Sequence, residues 1–411
     1  MEKRPRLFAP VSFSKEMKSL PKSIKMVSLV LFIYALGWGI VSPFIPIYYQ
    51  SIFGSYTKVG LITALLPLFA ILMDIPIGSI VNTVSKRRFM QIALLLYIPF
   101  SYFFLTIRTL LSFTLFRFYH AFLATSLWIS AESYTRYHSP PWKASLSISL
   151  YDAAGTLSLI LGPLIGGILF SEFGFNIFYS VSIFAALALA VSLFMPDHDP
   201  NKGLKKAVTS LMHFQKFKDL LNEFVTNKPL VKVNIFLLFF RFCFSFLAML
   251  LPLFLKDLGA SYFKIGVVFS LFYLPLVFEP YFAMFANKKY TLKIGLFFSS
   301  ILFFLLFANN QLPFVFIHSL LLALSFAAII PILQGRITEL MPKDKIGDLT
   351  GFGFVFADVS AALGPLMAGI VADLYGIKYV FLIGSIIMFI LGLLVLTKVF
   401  NKAFFDKANI S

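Results

Sequence analysis

The sequence predicts an all-α membrane protein with twelve transmembrane helices, arranged as two six-helix bundles in a pseudo-two-fold repeat. Three observations predict it. Of 411 residues, 59% are hydrophobic and only 13% charged, with a mean hydropathy of +0.88; a soluble domain has roughly 45–50% and about 25%. The apolar residues gather into runs of about the length that crosses a bilayer. Short landmarks also recur between the two halves of the chain at offsets of 202–206 residues. In lipid, only helices and closed barrels satisfy their own backbone polar groups. Barrel strands would read as alternating segments of about ten residues, and these runs are roughly twice as long without alternation. The 52 Phe and 17 Tyr exclude a disordered chain. The single cysteine, Cys243, excludes a disulfide scaffold and reads as a packing residue in an apolar run.

Twelve stretches qualify as spans: 27–49, 58–81, 89–107, 110–131, 145–170, 174–195, 231–255, 264–286, 292–308, 312–336, 348–372 and 377–397. Pro43, Pro46, Pro67, Pro76 and Pro163 fall inside them. Membrane helices tolerate such breaks because neighbours re-satisfy the freed carbonyls. Residues 1–26 form a basic leading segment with seven Lys/Arg and no cleavage site after a short apolar core, so the first helix is expected to stay. Residues 27–195 make the first bundle, 196–230 a polar linker, 231–398 the second bundle and 399–411 a tail.

An even number of spans puts both termini on one side. Segments on that side carry 28 Lys/Arg, against five (Lys58, Arg108, Lys256, Lys264 and Lys378) on the other. The positive-inside rule then puts both termini in the cytoplasm of a plasma membrane. The placement explains the net charge of +17 as contact with lipid headgroups, without nucleic acid. In the linker, Leu204, Val208, Leu211, Phe214, Phe217, Leu221 and Phe224 recur at helical spacing among lysines. They read as an amphipathic helix on the membrane face or as a solvated linker helix.

The repeat is carried by matched segments. "SYTKVG" at Ser55–Gly60 matches "SYFKIG" at Ser261–Gly266, and "LGPLIGG" at Leu161–Gly167 matches "LGPLMAG" at Leu363–Gly369. Asp74 lies two residues before Pro76, and Glu279 directly before Pro280; Asn82 and Asn287 close the same spans. The chain therefore reads as two parallel six-helix repeats.

On these residues the chain resembles the major facilitator superfamily over about residues 24–398. That resemblance implies a secondary transporter with a substrate site at midplane between the halves. Three motifs carry it. In "GSIVNTVSKRR", Gly78, Lys86 and Arg87 match the family's loop after the second helix, whereas Asn82 and Ser85 replace its acid and second glycine. In the fourth helix, Arg117, His120 and Ala121 match an arginine motif linked in the family to proton transfer, with His120 where glutamine is usual and His318 in the second half. In the fifth helix, Gly155, Gly162, Pro163, Gly166 and Gly167 match a motif that marks proton-exchanging exporters. Read physically, the small residues let two backbones approach. Gly364, Pro365 and Gly369 echo the motif in the eleventh helix.

A charge at the bilayer centre costs about 2.5–3.5 kcal/mol on insertion scales, so it needs a partner, a watery cavity or a neutral form. Asp74, Arg117, Asp152, Arg241, Glu279 and Asp358 lie inside spans. Asp74, Glu279 and Asp358, with Arg117 and Arg241, are the candidates for proton coupling; structural salt bridges are the competing reading. Asp152 and Asp358 sit near packing motifs. Tyr34, Trp38, Trp128, His120 and His318 are candidates for the substrate cavity, with ordinary packing as the alternative. Glu132, Arg136, Arg336 and Glu339 mark helix ends where ion pairs could gate the inner mouth. No metal spacing joins the histidines, and Asp197–His198–Asp199 reads as a solvated turn.

The sequence carries no zinc-protease, P-loop or nucleophile-elbow motif, so an enzyme or an ATP-driven pump is not expected, nor any cofactor. Two readings stay open. One is a monomeric proton-coupled exporter of small hydrophobic or cationic compounds. The other is a proton-coupled symporter that takes up a sugar, organic anion or other nutrient, with Arg117 and Arg241 holding a carboxylate.

Overall fold

The computed structural model describes residues 19–81, 83–140, 143–196, 224–279, 288–340 and 346–397, with residues 222, 282 and 400 besides. Asn82, the 197–199 turn, Asn287 and all of the predicted linker helix except Asn222 and Phe224 lie outside the described residues; Phe224 is buried against Phe356.

The first crossing joins α1 (Lys22–Val41) to α2 (Ile45–Phe53). Pro43 and Pro46 lack the N–H that would continue the ladder, so a 3₁₀ turn at Ser42–Phe44 interrupts the predicted single run. The second, α3 (Tyr56–Val81), stays continuous through Pro67 and Pro76. Pro99 divides the third into α4 (Lys86–Tyr97) and α5 (Phe100–Thr106). Next come α6 (Leu110–His138), α7 (Ala144–Phe173) and α8 (Tyr179–Ser192). The second half contains α9 (Lys228–Asp257), α10 (Tyr262–Tyr273), α11 (Lys288–Ala308), α12 (Leu312–Leu340), α13 (Ile346–Tyr375) and α14 (Ile377–Leu396).

Ten helical stretches among the described residues are long and apolar enough to cross a bilayer. One of them, Leu146–Ser192, holds two crossings. At Gly174 the backbone takes φ +52°, which disfavours a side chain. There α8 turns back and runs antiparallel to the third crossing, with Ser182 beside Ser101 and Gln91 bonded to Ser192. The shorter apolar stretch Tyr262–Phe278 is the remaining crossing. Counted this way, the described residues make twelve crossings.

The outer helices show what surrounds the molecule. Leu95, Tyr102, Ile183, Ile294 and Ile301 each leave more than half of their surface open. Apolar exposure on this scale needs hydrocarbon around it. Lipid removes the hydrophobic drive between helices, so close packing and interhelical hydrogen bonds must hold the bundles. Both halves solve this in the same way. Ser101 donates to the Phe178 carbonyl at 2.7 Å, and Ser300 donates to the Ser385 carbonyl at 2.9 Å. Each bond ties the third crossing of a half to its sixth.

Candidate functional site

The repeated glycine motif does two jobs, one on each of two helix faces. In α7, Gly162 and Gly166 meet α1. A Cβ on Gly162 would lie 2.4 Å from the Gly39 carbonyl carbon, and one on Gly166 would lie 2.0 Å from the Ile40 oxygen. One position further on, Pro163 and Gly167 face the other half. A Cβ on Gly266 of α10 would stand 2.2 Å from the Pro163 oxygen, and one on Gly167 would stand 3.0 Å from the Tyr262 oxygen. Helix α13 repeats the pattern. Gly364 packs on Phe242 and Ser245 of α9, within its own half. Pro365 and Gly369 meet α3 of the first half. Here a Cβ on Gly60 would lie 2.2 Å from the Pro365 oxygen, and one on Gly369 would lie 2.3 Å from the Tyr56 oxygen. The segments that reveal the repeat are therefore the surfaces that dock crosswise: "SYTKVG" on "LGPLMAG", and "SYFKIG" on "LGPLIGG".

Not every glycine of the motifs packs closely. A Cβ on Gly155 would only touch Leu31 at 4.0 Å, and one on Gly78 would meet nothing within 4 Å.

The α3/α13 seam carries a polar clasp at the face away from the termini. Asp373 of α13 accepts from the backbone N–H of Tyr56 at 2.8 Å, from the N–H of Thr57 at 2.8 Å and from the Ser55 hydroxyl at 2.7 Å. It thus caps a helix of the opposite half. Capping of this kind is worth about 1 kcal/mol. The Tyr56 hydroxyl donates to Asp257, at the end of α9, at 2.9 Å. Neither acid stands out in the sequence, where both look like ordinary charges at helix ends. The available signal was the N-cap serine of each matched segment, Ser55 and Ser261.

Deeper in the same seam lies a cluster of charges. Asp74 on α3 and Asp358 on α13 interact directly across the halves, and Thr125 on α6 turns its side chain to Asp74. Arg241 on α9 stands in the electrostatic field of Asp358 and of Glu279, which follows the 3₁₀ turn Leu274–Phe278. All four charged residues are partly exposed. Among the described residues none of them forms an ion pair within 4 Å; the pairs found are Arg136–Glu132 and Arg336–Glu339. Asp152 stands apart, exposed on α7, with Glu132 and Arg136 as its electrostatic neighbours.

Arg117 does not join this cluster. It is buried inside the first bundle, where Nε donates to the Ile62 carbonyl at 3.1 Å, Nη1 bonds His120 Nδ1 at 2.9 Å and the Tyr49 ring lies 5.2 Å away. Because arginine only donates, His120 Nδ1 is the acceptor. Trp38 stacks on the His120 ring at 4.7 Å. Tyr34 is also buried, with its ring 5.2 Å from that of Tyr97. The contacts named here all lie within the first bundle. Trp128 differs: it is 41% exposed and held edge-on by Tyr34 and Tyr151. His318 is buried beside Phe314. At the face carrying the termini, Lys86 lies 5.0 Å from the Tyr137 ring and Arg87 donates to the Leu193 carbonyl at 2.7 Å. No cluster of three metal-ligating side chains occurs among the described residues.

The model of the Major Facilitator Superfamily matches residues 27–284 and again residues 257–409. The chain belongs to this superfamily. Its relatives there are transporters rather than enzymes. An uncharacterised transporter of this type from Methanocaldococcus jannaschii is 21% identical over 92% of the chain and 98% of its own length. The quinolone resistance protein NorA of Staphylococcus aureus is 24% identical over 86% of the chain and 91% of its own length. Among solved structures, a bacterial homologue of the lysosomal transporter Spinster, inward-facing and unoccupied, superposes with a TM-score of 0.76. It is 15% identical and covers 94% of this chain and 98% of its own.

Proposed function

We propose that this transporter exports small hydrophobic or cationic compounds in exchange for protons, with Asp74, Asp358 and Glu279 as proton carriers and Arg241 as their partner. One observation carries the reading. Three carboxyls and one arginine share the space between the halves, partly exposed and, among the described residues, without a closed ion pair. Two facing carboxylates repel strongly in a poorly screened interior. A proton or a cationic cargo relieves that repulsion, so the two compete for one place. Such competition is the basis of exchange. That the relative NorA is a quinolone resistance protein supports the outward direction, since expelling a drug is one route to resistance.

The count of basic residues supports cytoplasmic termini. The clasped face then lies outside, and the described state is closed to the outside.

Uptake is the second reading, favoured by Arg241, which can hold the carboxylate of an anionic cargo. Transport into everted and right-side-out vesicles under an imposed proton gradient separates the two. Export predicts proton-driven accumulation in everted vesicles, and uptake predicts it in right-side-out vesicles. Glu279→Gln should abolish the response to the proton gradient; an unchanged response would remove Glu279 from the mechanism.

A further inference from the structure

We propose that Asp373 is a gating residue, a helix cap supplied in trans whose release is part of opening the face away from the termini. The first N–H groups of a helix have no partner within it. In α3, the N–H of Lys58 is served locally by Ser55 at 3.3 Å, but those of Tyr56 and Thr57 are served by Asp373 from the other half. The carboxylate also sits at the positive end of the α3 dipole. A second acid of that half, Asp257, holds the Tyr56 side chain. Tyr56 and Asp257 also line a depression of about 290 Å³ on that face, with Lys378.

The other seam is built differently. By the repeat offset of 202, the position matching Asp373 is Ser171. At that seam, the N-terminus of α10 is capped within its own half, by Ser261 accepting from the N–H of Lys264 at 3.4 Å. The packing repeats while the trans cap does not. The cap is therefore a device added to one seam and is not required by the fold. It links the halves only while their backbones are in contact, since Asp373 must stand within hydrogen-bond reach of α3. Separating the halves breaks three hydrogen bonds at once and returns a carboxylate and two amides to water, where both are solvated. Such a contact holds a state without locking it.

The proposal rests on the transport function proposed above, carried out by two halves that rock to open one face and then the other, and its test separates the two. Spin labels at Phe173→Cys on α7 and Lys264→Cys on α10 report the distance across the other seam, remote from Asp373; both positions are exposed. A Gly60→Leu variant, whose side chain cannot fit against the Pro365 carbonyl, sets the open distance. In this labelled protein, Asp373→Ala should raise the ratio of open to closed distances roughly 2- to 30-fold, the range that loss of an N-cap produces. Asp373→Asn should give a smaller rise, because its amide oxygen still accepts, and it serves as the second variant should Asp373→Ala fold poorly. If Gly60→Leu leaves the distance unchanged, the rocking of the halves is wrong. If Gly60→Leu lengthens it while both Asp373 variants match the unsubstituted protein, the gating role is wrong.

Discussion

The two seams between the halves use one packing rule and different chemistry. At α7/α10, Gly266 meets the Pro163 backbone, and Phe170 and Tyr262 bring their rings to 4.0 Å. At α3/α13, Gly60 and Gly369 make the same backbone contacts, but Asp373 adds a cap and Asp74 faces Asp358. Among the described residues, the first seam shows close packing and ring contact. The second couples shape to charge, from the clasp at one face down to the interior cluster. The repeat thus supplies a common packing surface, and its departures from symmetry place charged side chains at one seam.

The largest effects are expected at the shared contacts. Gly60→Leu and Gly266→Leu should each hold their seam open and reduce transport at least tenfold. Because these contacts lie between halves, the melting temperature of the purified protein should fall little. Substrate flux and thermal melting measured side by side check this.

The motif's other face gives the opposite pattern. Gly166→Leu presses on the Ile40 carbonyl within one bundle. It should destabilise the protein by about 1–3 kcal/mol or more, the cost of overpacking, visible first as a lower melting temperature. Equal melting losses for Gly60→Leu and Gly166→Leu would erase the distinction between the faces.

Ser171→Asp would offer the α10 N-terminus the carboxylate that α3 already has. It should stabilise the closed state by no more than an N-cap contributes, about 1 kcal/mol, read as a shift of the spin-label distances toward closed. The smallest effect is expected at Gly155→Ala and Gly78→Ala, where space is open. Removing a helix glycine is worth up to about 1 kcal/mol, so melting should stay unchanged or rise, with transport intact.

Much of this architecture was legible in the sequence because membrane spans are a local property: run length and composition give the twelve crossings, and literal repetition gives the two halves. The glycine motif was also legible as close packing. Its division into two faces was not, since which neighbour each glycine meets depends on how α1, α3 and α10 are arranged around it. Arg117 and His120 show a second limit. Their spacing of three puts them on one helix face, but nothing local says that this face turns into the bundle, toward Ile62 and Trp38. Asp74 and Asp358 were visible as separate intramembrane acids; that they face each other is a product of the fold. Asp373 was missed because an acid at a helix end is unremarkable until the helix it caps is known.

The central claim is that the two bundles tilt against each other about these seams. Distances measured by electron spin resonance on both faces test it most directly, and the single native Cys243 is buried and out of the way of labelling. One pair, Phe173→Cys with Lys264→Cys, reports the clasped face; another, Arg88→Cys with Tyr290→Cys, reports the face carrying the termini. In proteoliposomes that are transporting, one distance should lengthen as the other shortens. Cargo moving while both distances stay fixed, or while both lengthen together, would contradict it.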